Sequence, residues 1–126
     1  MFKRIEFMER DYSPAAVGAG ETRPLFQARA GWRIVTVSIK AMIAAAGGAD
    51  STVNFGDATT PAGFVSAMAL TTAAGTLVPG AGTYTNQAGG KLYTVDTPLN
   101  AVYAGTTFGA VLPKIKVRIG LLKEWP

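Results

Sequence analysis

Apolar and polar side chains alternate in two long stretches of the chain, and both alternations predict strands. In "WRIVTVSIKAMI", residues 32–43, Val35, Val37, Ile39, Ala41 and Ile43 share one face, with Arg33 at its edge. Thr36, Ser38 and Lys40 occupy the other. A period of two with β-branched residues marks a half-buried strand, whereas a helix would scatter the same residues around its circumference. "PKIKVRIGLL", residues 113–122, repeats the pattern. Ile115, Val117, Ile119 and Leu121 point one way, and Lys114, Lys116, Arg118 and Gly120 the other. Pro113 falls at the first residue, where a strand tolerates it.

Shorter apolar runs lie at 53–55, 64–70, 91–95 and 101–108. Between them stand "GDATTPAG", "PGAGTYTNQAGG", "DTPLN" and "GAVLP", all rich in turn formers. Short strands punctuated this regularly predict an all-β fold, an antiparallel sandwich or barrel. "MFKRIEFM" reads as a further strand or an extended arm. "ERDYSPAAVGAGETRP", residues 9–24, reads as a loop, because two prolines and two glycines interrupt it without a period. The alanines of "KAMIAAAGGA" favour helix, but Gly47-Gly48 and the preceding strand argue for strand followed by loop. The expected organisation is an N-terminal arm and loop over 1–30 and one β-sandwich domain over 31–126.

Composition sharpens this picture. The 126 residues are 48% hydrophobic and only 16% charged, less charge than the roughly 25% of ordinary soluble domains. The shortage predicts a surface partly covered by copies of itself or by a larger assembly. Charge is also uneven. Residues 41–90 carry no Lys or Arg and only Asp50 and Asp57 as acids, while both ends are mildly basic. Nucleic-acid readers cluster basic residues and aromatics on one element, which this chain does not, so no nucleic-acid partner is expected. No apolar run approaches the ~20 residues of a membrane-spanning helix, and the charged N-terminus lacks the apolar core of a signal peptide. The basic stripe at Lys114, Lys116 and Arg118 has two readings: a solvated face that protects a sheet edge, or a contact surface for an acidic protein partner.

Candidate chemistry is sparse. There is no cysteine and no histidine, so thiol nucleophiles, thiolate metal sites and the commonest general base are absent together. Asp50, Asp57 and Asp96 each sit at a turn, where Asp typically accepts a hydrogen bond from its own downstream backbone. Asp50, Asn54 and Asp57 offer oxygens to Ca²⁺, but at no EF-hand spacing. "GAG" at 18–20 and 80–82 lacks the Lys-Ser/Thr of a phosphate loop. Ser13, Ser38, Ser51 and Ser66 have no base to activate them. Neither enzyme activity nor any cofactor or metal is expected. Among the aromatics, Tyr84 in its Gly-flanked turn and Trp125 near the end are expected to be exposed, and exposed aromatics favour interfaces.

From residue 53 onward the order of features resembles small virion proteins of tailed bacteriophages. A strand runs into a Gly-Asp turn with a Gly-aromatic restart, "VNFGDATTPAGF". A polar insertion with Gly-x-Tyr follows, "GAGTYT", then "YTVDT" at 93–97 and a long final alternating strand, "GAVLPKIKVRIGLL". The resemblance covers the chain from Val53 to its end, with "WRIVTVSIKAMI" as the strand before it, and does not extend to 1–30. It implies a jelly-roll or related sandwich acting as a capsid decoration or cement protein. The implied partner is a major capsid protein, or a tail protein, and the implied assembly a homodimer or homotrimer. The implied location is the capsid surface, after synthesis in the host bacterial cytoplasm. The alternative is a tail- or fibre-associated host-recognition module whose loops at 75–90 contact a sugar or receptor. A carbohydrate-processing or isomerase domain on a similar barrel is a weaker third reading, opposed by the missing histidine and carboxylate cluster. On the first reading the candidate capsid or oligomer contacts are Phe2, Lys3, Arg4, Phe7, Arg10, Tyr12, Tyr84 and Trp125.

Overall fold

The structure, a computed structural model, describes residues 4–14, 20–46, 51–84, 89–105 and 111–123. Among the described residues nine strands follow in chain order: β1 (Glu6–Tyr12), β2 (Glu21–Ala28), β3 (Trp32–Ile43), β4 (Thr52–Gly56), β5 (Val65–Ala69), β6 (Leu77–Pro79), β7 (Lys91–Leu92), β8 (Thr97–Ala104) and β9 (Lys114–Lys123). They form two antiparallel sheets. One has the order β1-β9-β3-β6, with β7 also on β3, and the other the order β2-β8-β4-β5. The pairings are nested: β1 with β9, β2 with β8, β3 with β6, β4 with β5. The chain is thus one long hairpin, with its tip between β4 and β5, rolled so that successive pairs fall in alternate sheets. That is the jelly-roll sandwich. Among the described residues no helix is long and apolar enough to cross a membrane.

The core lies between the two sheets. β9 contributes Ile115, Val117, Ile119 and Leu121, all essentially without solvent contact, as its alternation predicts. β3 adds Ile34, Val37, Ile39 and Ala41 from the same sheet, and β4 and β8 close the other side with Val53, Phe55, Leu99, Ala101 and Tyr103. Phe26, Phe55, Phe64 and Tyr84 form a chain of rings, with successive centroids 6.0, 5.7 and 5.3 Å apart. These edge and tilted contacts suit the aromatic quadrupole.

Four expectations need correction. Within the stretch 9–24, expected to be loop, Glu9–Tyr12 and Glu21–Pro24 are strand. β1 lies along β9 from Glu6 to Tyr12, and β2 along β8 from Glu21 to Ala28. In β3 the inward face switches parity. A register shift between Ile34 and Thr36 turns Ile34 into the core and leaves Val35 half-buried, and a second shift after Ala41 leaves Ile43 45% exposed. An extra residue in one strand of a ladder flips the alternation beyond it. β9 is not an edge: it lies between β1 and β3, so its basic stripe does not guard an open edge. Finally, "DTPLN" is not only a turn, because β8 begins at Thr97. Pro98 is tolerated there because β4 pairs only with Asn100 to Ala104, so the ladder on that side stops before the proline.

Candidate functional site

The tip of the nested hairpin is the "GDATTPAG" corner, and it is built around Asp57. β4 ends at Gly56, which admits no side chain. A Cβ there would overlap the Thr60 carbonyl and come within 2.6 Å of the Pro61 carbonyl and 2.7 Å of the Gly63 nitrogen. The backbone folds back at once. Asp57 N–H donates to the Thr60 carbonyl (3.2 Å), and the Asp57 carboxylate accepts from Thr60 N–H (2.8 Å). This is the turn role that its sequence context predicts. The structure adds two distant donors. Tyr84 Oη donates to Oδ1 (3.2 Å) and Tyr93 Oη to Oδ2 (2.8 Å), and Asp57 is only 4% exposed.

Lys91 covers this knot. Its Nζ lies 4.8 Å from the Tyr84 ring centroid and 5.6 Å from that of Tyr93. Both separations are within cation–π range. The Tyr84 backbone N–H also donates to the Gly63 carbonyl at 2.6 Å. Burial first, then the neighbouring carboxylate, pushes the Tyr93 phenol far above its ordinary range, and burial also raises Tyr84. A low-polarity surrounding disfavours the charged phenolate, so both phenols remain protonated donors near neutrality. The carboxylate, its oxygens held by three protein donors, ties three chain segments together. A cleft of about 210 Å³ opens beside the knot, between Thr59, Lys91 and the 93–97 segment.

The other carboxylate candidates are placed as follows. Asp96 accepts from Ala30 N–H and Arg29 Nη1, both at 3.0 Å, and these bonds hold its carboxyl below the usual range. Asn54 Oδ1 accepts from Ala67 N–H at 2.6 Å, where Ala67 has a φ of 50° at the β4–β5 irregularity. Asp50 lies outside the described residues, so the proposed Asp50, Asn54 and Asp57 oxygens are not seen together.

Of the candidate contact residues, Phe2, Lys3 and Trp125 lie outside the described residues, and Arg4 is exposed. Phe7, 52% exposed, stands directly opposite Gly120, with the Arg118 guanidinium 4.1 Å from its ring centroid. Arg10 lies on the side of β1 that carries Met8 and Tyr12. Its guanidinium is 5.8 Å from the Phe26 ring centroid, and β1 is an edge of its sheet. An inward charge on such a strand blunts the edge against further pairing. The expectation that Tyr84 is exposed fails, because it is buried in the Asp57 knot. Tyr12, another of the candidate contacts, is 2% exposed and donates to Glu21 Oε1 (2.8 Å) beneath Arg23. Turn context suggested an open Tyr84, but the 57–64 corner folds over it.

No protein-family model and no curated protein matches the chain. Solved phage capsids do. One similar chain belongs to a structure described as the cyanophage Pam1 capsid asymmetric unit. It matches with a TM-score of 0.66 at 14% identity, over 95% of this chain and 84% of the other. A second belongs to the acidic stable capsid structure of Helicobacter pylori bacteriophage KHP30. There the TM-score is 0.67 at 14% identity, over 96% of this chain and 93% of the other. At this identity the likeness establishes the fold, which the chain shares over nearly its whole length with both.

Proposed function

We propose that the protein is a structural virion protein, a decoration or cement protein that binds the outer face of a phage shell and stabilises it by many repeated contacts. The observation that carries this reading is the fold match over 95% and 96% of the chain to chains of two solved phage capsids. The surface supports it. β4, β5 and β8 contain no charged residue, and Glu21 and Arg23 of β2 turn toward Tyr12 of the other sheet, so the outer face of this sheet suits a neutral neighbour. The opposite sheet carries Lys40, Lys114, Lys116 and Arg118 on its outer side, with Glu9 and Asp11 of β1 as the acids across from Arg118 and Lys116. Two chemically different faces fit a protein that touches both a shell and its own copies, as a homodimer or homotrimer. Arg4, Phe7 and Arg10, with Phe2, Lys3 and Trp125, are the proposed additional contacts. Modest interfaces repeated over a lattice gain strength through multivalency. The protein would be made in the host bacterial cytoplasm and reside on the capsid surface.

The test is quantitative mass spectrometry of purified particles, followed by adding the protein back to shells that lack it. Copies in the hundreds and a raised shell melting temperature are expected. Absence from particles, or a handful of copies at the tail, overturns the proposal.

A further inference from the structure

The register of the β1-β9-β3-β6 sheet places like charges against each other. Lys40 on β3 stands directly opposite Lys116 on β9. Like charges opposed across a ladder repel and destabilise the pairing. The nearest acid in register is Asp11, opposite Lys116 on β1, but its Oδ2 is 3.3 Å from Lys114 Nζ. Asp11 is thus engaged by Lys114, and Glu9, the other acid on this face of β1, stands opposite Arg118. Elsewhere on β9 the cations are matched: Lys123 pairs with Glu6 at 3.1 Å, and Arg118 stacks on Phe7. Among the described residues no acid forms an ion pair with Lys40.

Apolar groups flank these lysines on the side away from Asp11. Leu77, opposite Lys40 on the three-residue edge strand β6, is 62% exposed, and Ile43, opposite Lys114, is 45% exposed. The outer face therefore offers adjacent positive charges beside uncovered aliphatic side chains. We infer that this β9-β3-β6 face docks an acidic segment of a partner protein, whose carboxylates reach Lys40 and Lys116 and whose aliphatic side chains cover Leu77 and Ile43. Carboxylates would remove the cross-strand repulsion that the isolated chain retains, and ammonium groups on flexible stems accept them without a fixed geometry. Nucleic acid fits less well. Aliphatic residues border Lys40 and Lys114, and the exposed ring on this face, Phe7, is already stacked by Arg118, so bases find no open stacking platform beside the lysines.

The inference goes beyond the virion reading and rests on the strand register, the ion pairs and the exposed aliphatic residues of this face. The test uses the whole protein and the double variant Lys40→Gln/Lys116→Gln, with Lys123→Gln as control. The probes are a synthetic peptide alternating Glu and Leu, a DNA duplex of equal charge, and shells lacking the protein. In two-dimensional NMR the peptide is expected to shift resonances of β3, β6 and β9, to bind more weakly as salt rises, and to lose about tenfold or more in affinity in the double variant. Thermal stability of that variant should stay close to wild type, because the lost Lys40–Lys116 repulsion and the lost Asp11–Lys116 attraction oppose each other. Unchanged peptide affinity, shifts confined to other strands, or tighter binding of DNA overturns the inference. If wild type and double variant bind shells equally, the inference fails while the virion reading stands. If wild type does not bind shells, the virion reading fails and the peptide result decides the inference.

Discussion

Replacing Asp57 by alanine removes one acceptor from three donors at once: Thr60 N–H, Tyr84 Oη and Tyr93 Oη. Both tyrosines are buried, at 6% and 4% exposure, so water does not readily replace the lost oxygens. A buried donor left without a partner costs about 1–3 kcal/mol. The Lys91 ammonium above the rings loses the nearby negative charge as well. A stranded Tyr93 phenol, a Tyr84 phenol left with only the Thr60 side chain, and a loosened turn together predict a loss of about 3–5 kcal/mol, the range seen when one member of a buried charged network is removed. For a chain of this size that corresponds to a fall of about 10–20 °C in melting temperature. Urea denaturation at constant m-value measures the loss directly. Tyr93→Phe should cost about 1–2 kcal/mol in the wild-type background and little in the alanine background, because its hydroxyl then has no acceptor to lose. If Asp57→Ala costs less than about 1 kcal/mol, or Tyr93→Phe costs the same in both backgrounds, the carboxylate does not hold the corner together.

Gly120→Ala should lower stability by about 1–3 kcal/mol. The new Cβ would press on the Thr36 methyl, the Phe7 ring (2.9 Å) and the Ile5 side chain (3.2 Å), so Phe7→Ala in the same chain should recover part of the loss in chemical denaturation. The phenols of Tyr12, Tyr84 and Tyr93 are all raised, first by burial. The stability held by their neutral forms is therefore full below the ordinary tyrosine pKa of about 10 and is lost as pH rises through the folded values. Phenolate absorbance should show these three silent until a cooperative alkaline unfolding step, and a gradual titration near the ordinary value in folded protein would refute their burial.

The parts of this molecule that could be read from the chain are those that depend on neighbours in sequence. The alternation at 115–121 specifies which side of β9 is apolar, and all four inward residues are buried as it requires. The Gly-Asp corner likewise announces its own turn, because an Asp side chain reaches backbone only a few residues away. Edge strands are harder. The side of β1 that carries Tyr12 also carries Glu6, Met8 and Arg10, since a strand at the rim covers the core only in part, and its period fades into what looks like loop. The parity switch at Val35 is invisible for a different reason. A bulge is a mismatch between two strands, and β9, the partner of β3, is the last strand of the chain.

The same distinction divides the sites. Asp57 as a turn residue is local, but Tyr84 and Tyr93 reach it across 27 and 36 residues, and nothing between them in sequence records the meeting. Lys40 and Lys116 each look like an ordinary solvated charge on its own strand. Only the pairing of β3 with β9 sets them face to face, with Leu77 and Ile43 beside them. Backbone periodicity is a property of a few consecutive residues, and so it is written in the chain. Register and sheet order follow from closing long loops against the entropy of the whole chain, so which side chains meet is settled only when the roll is complete.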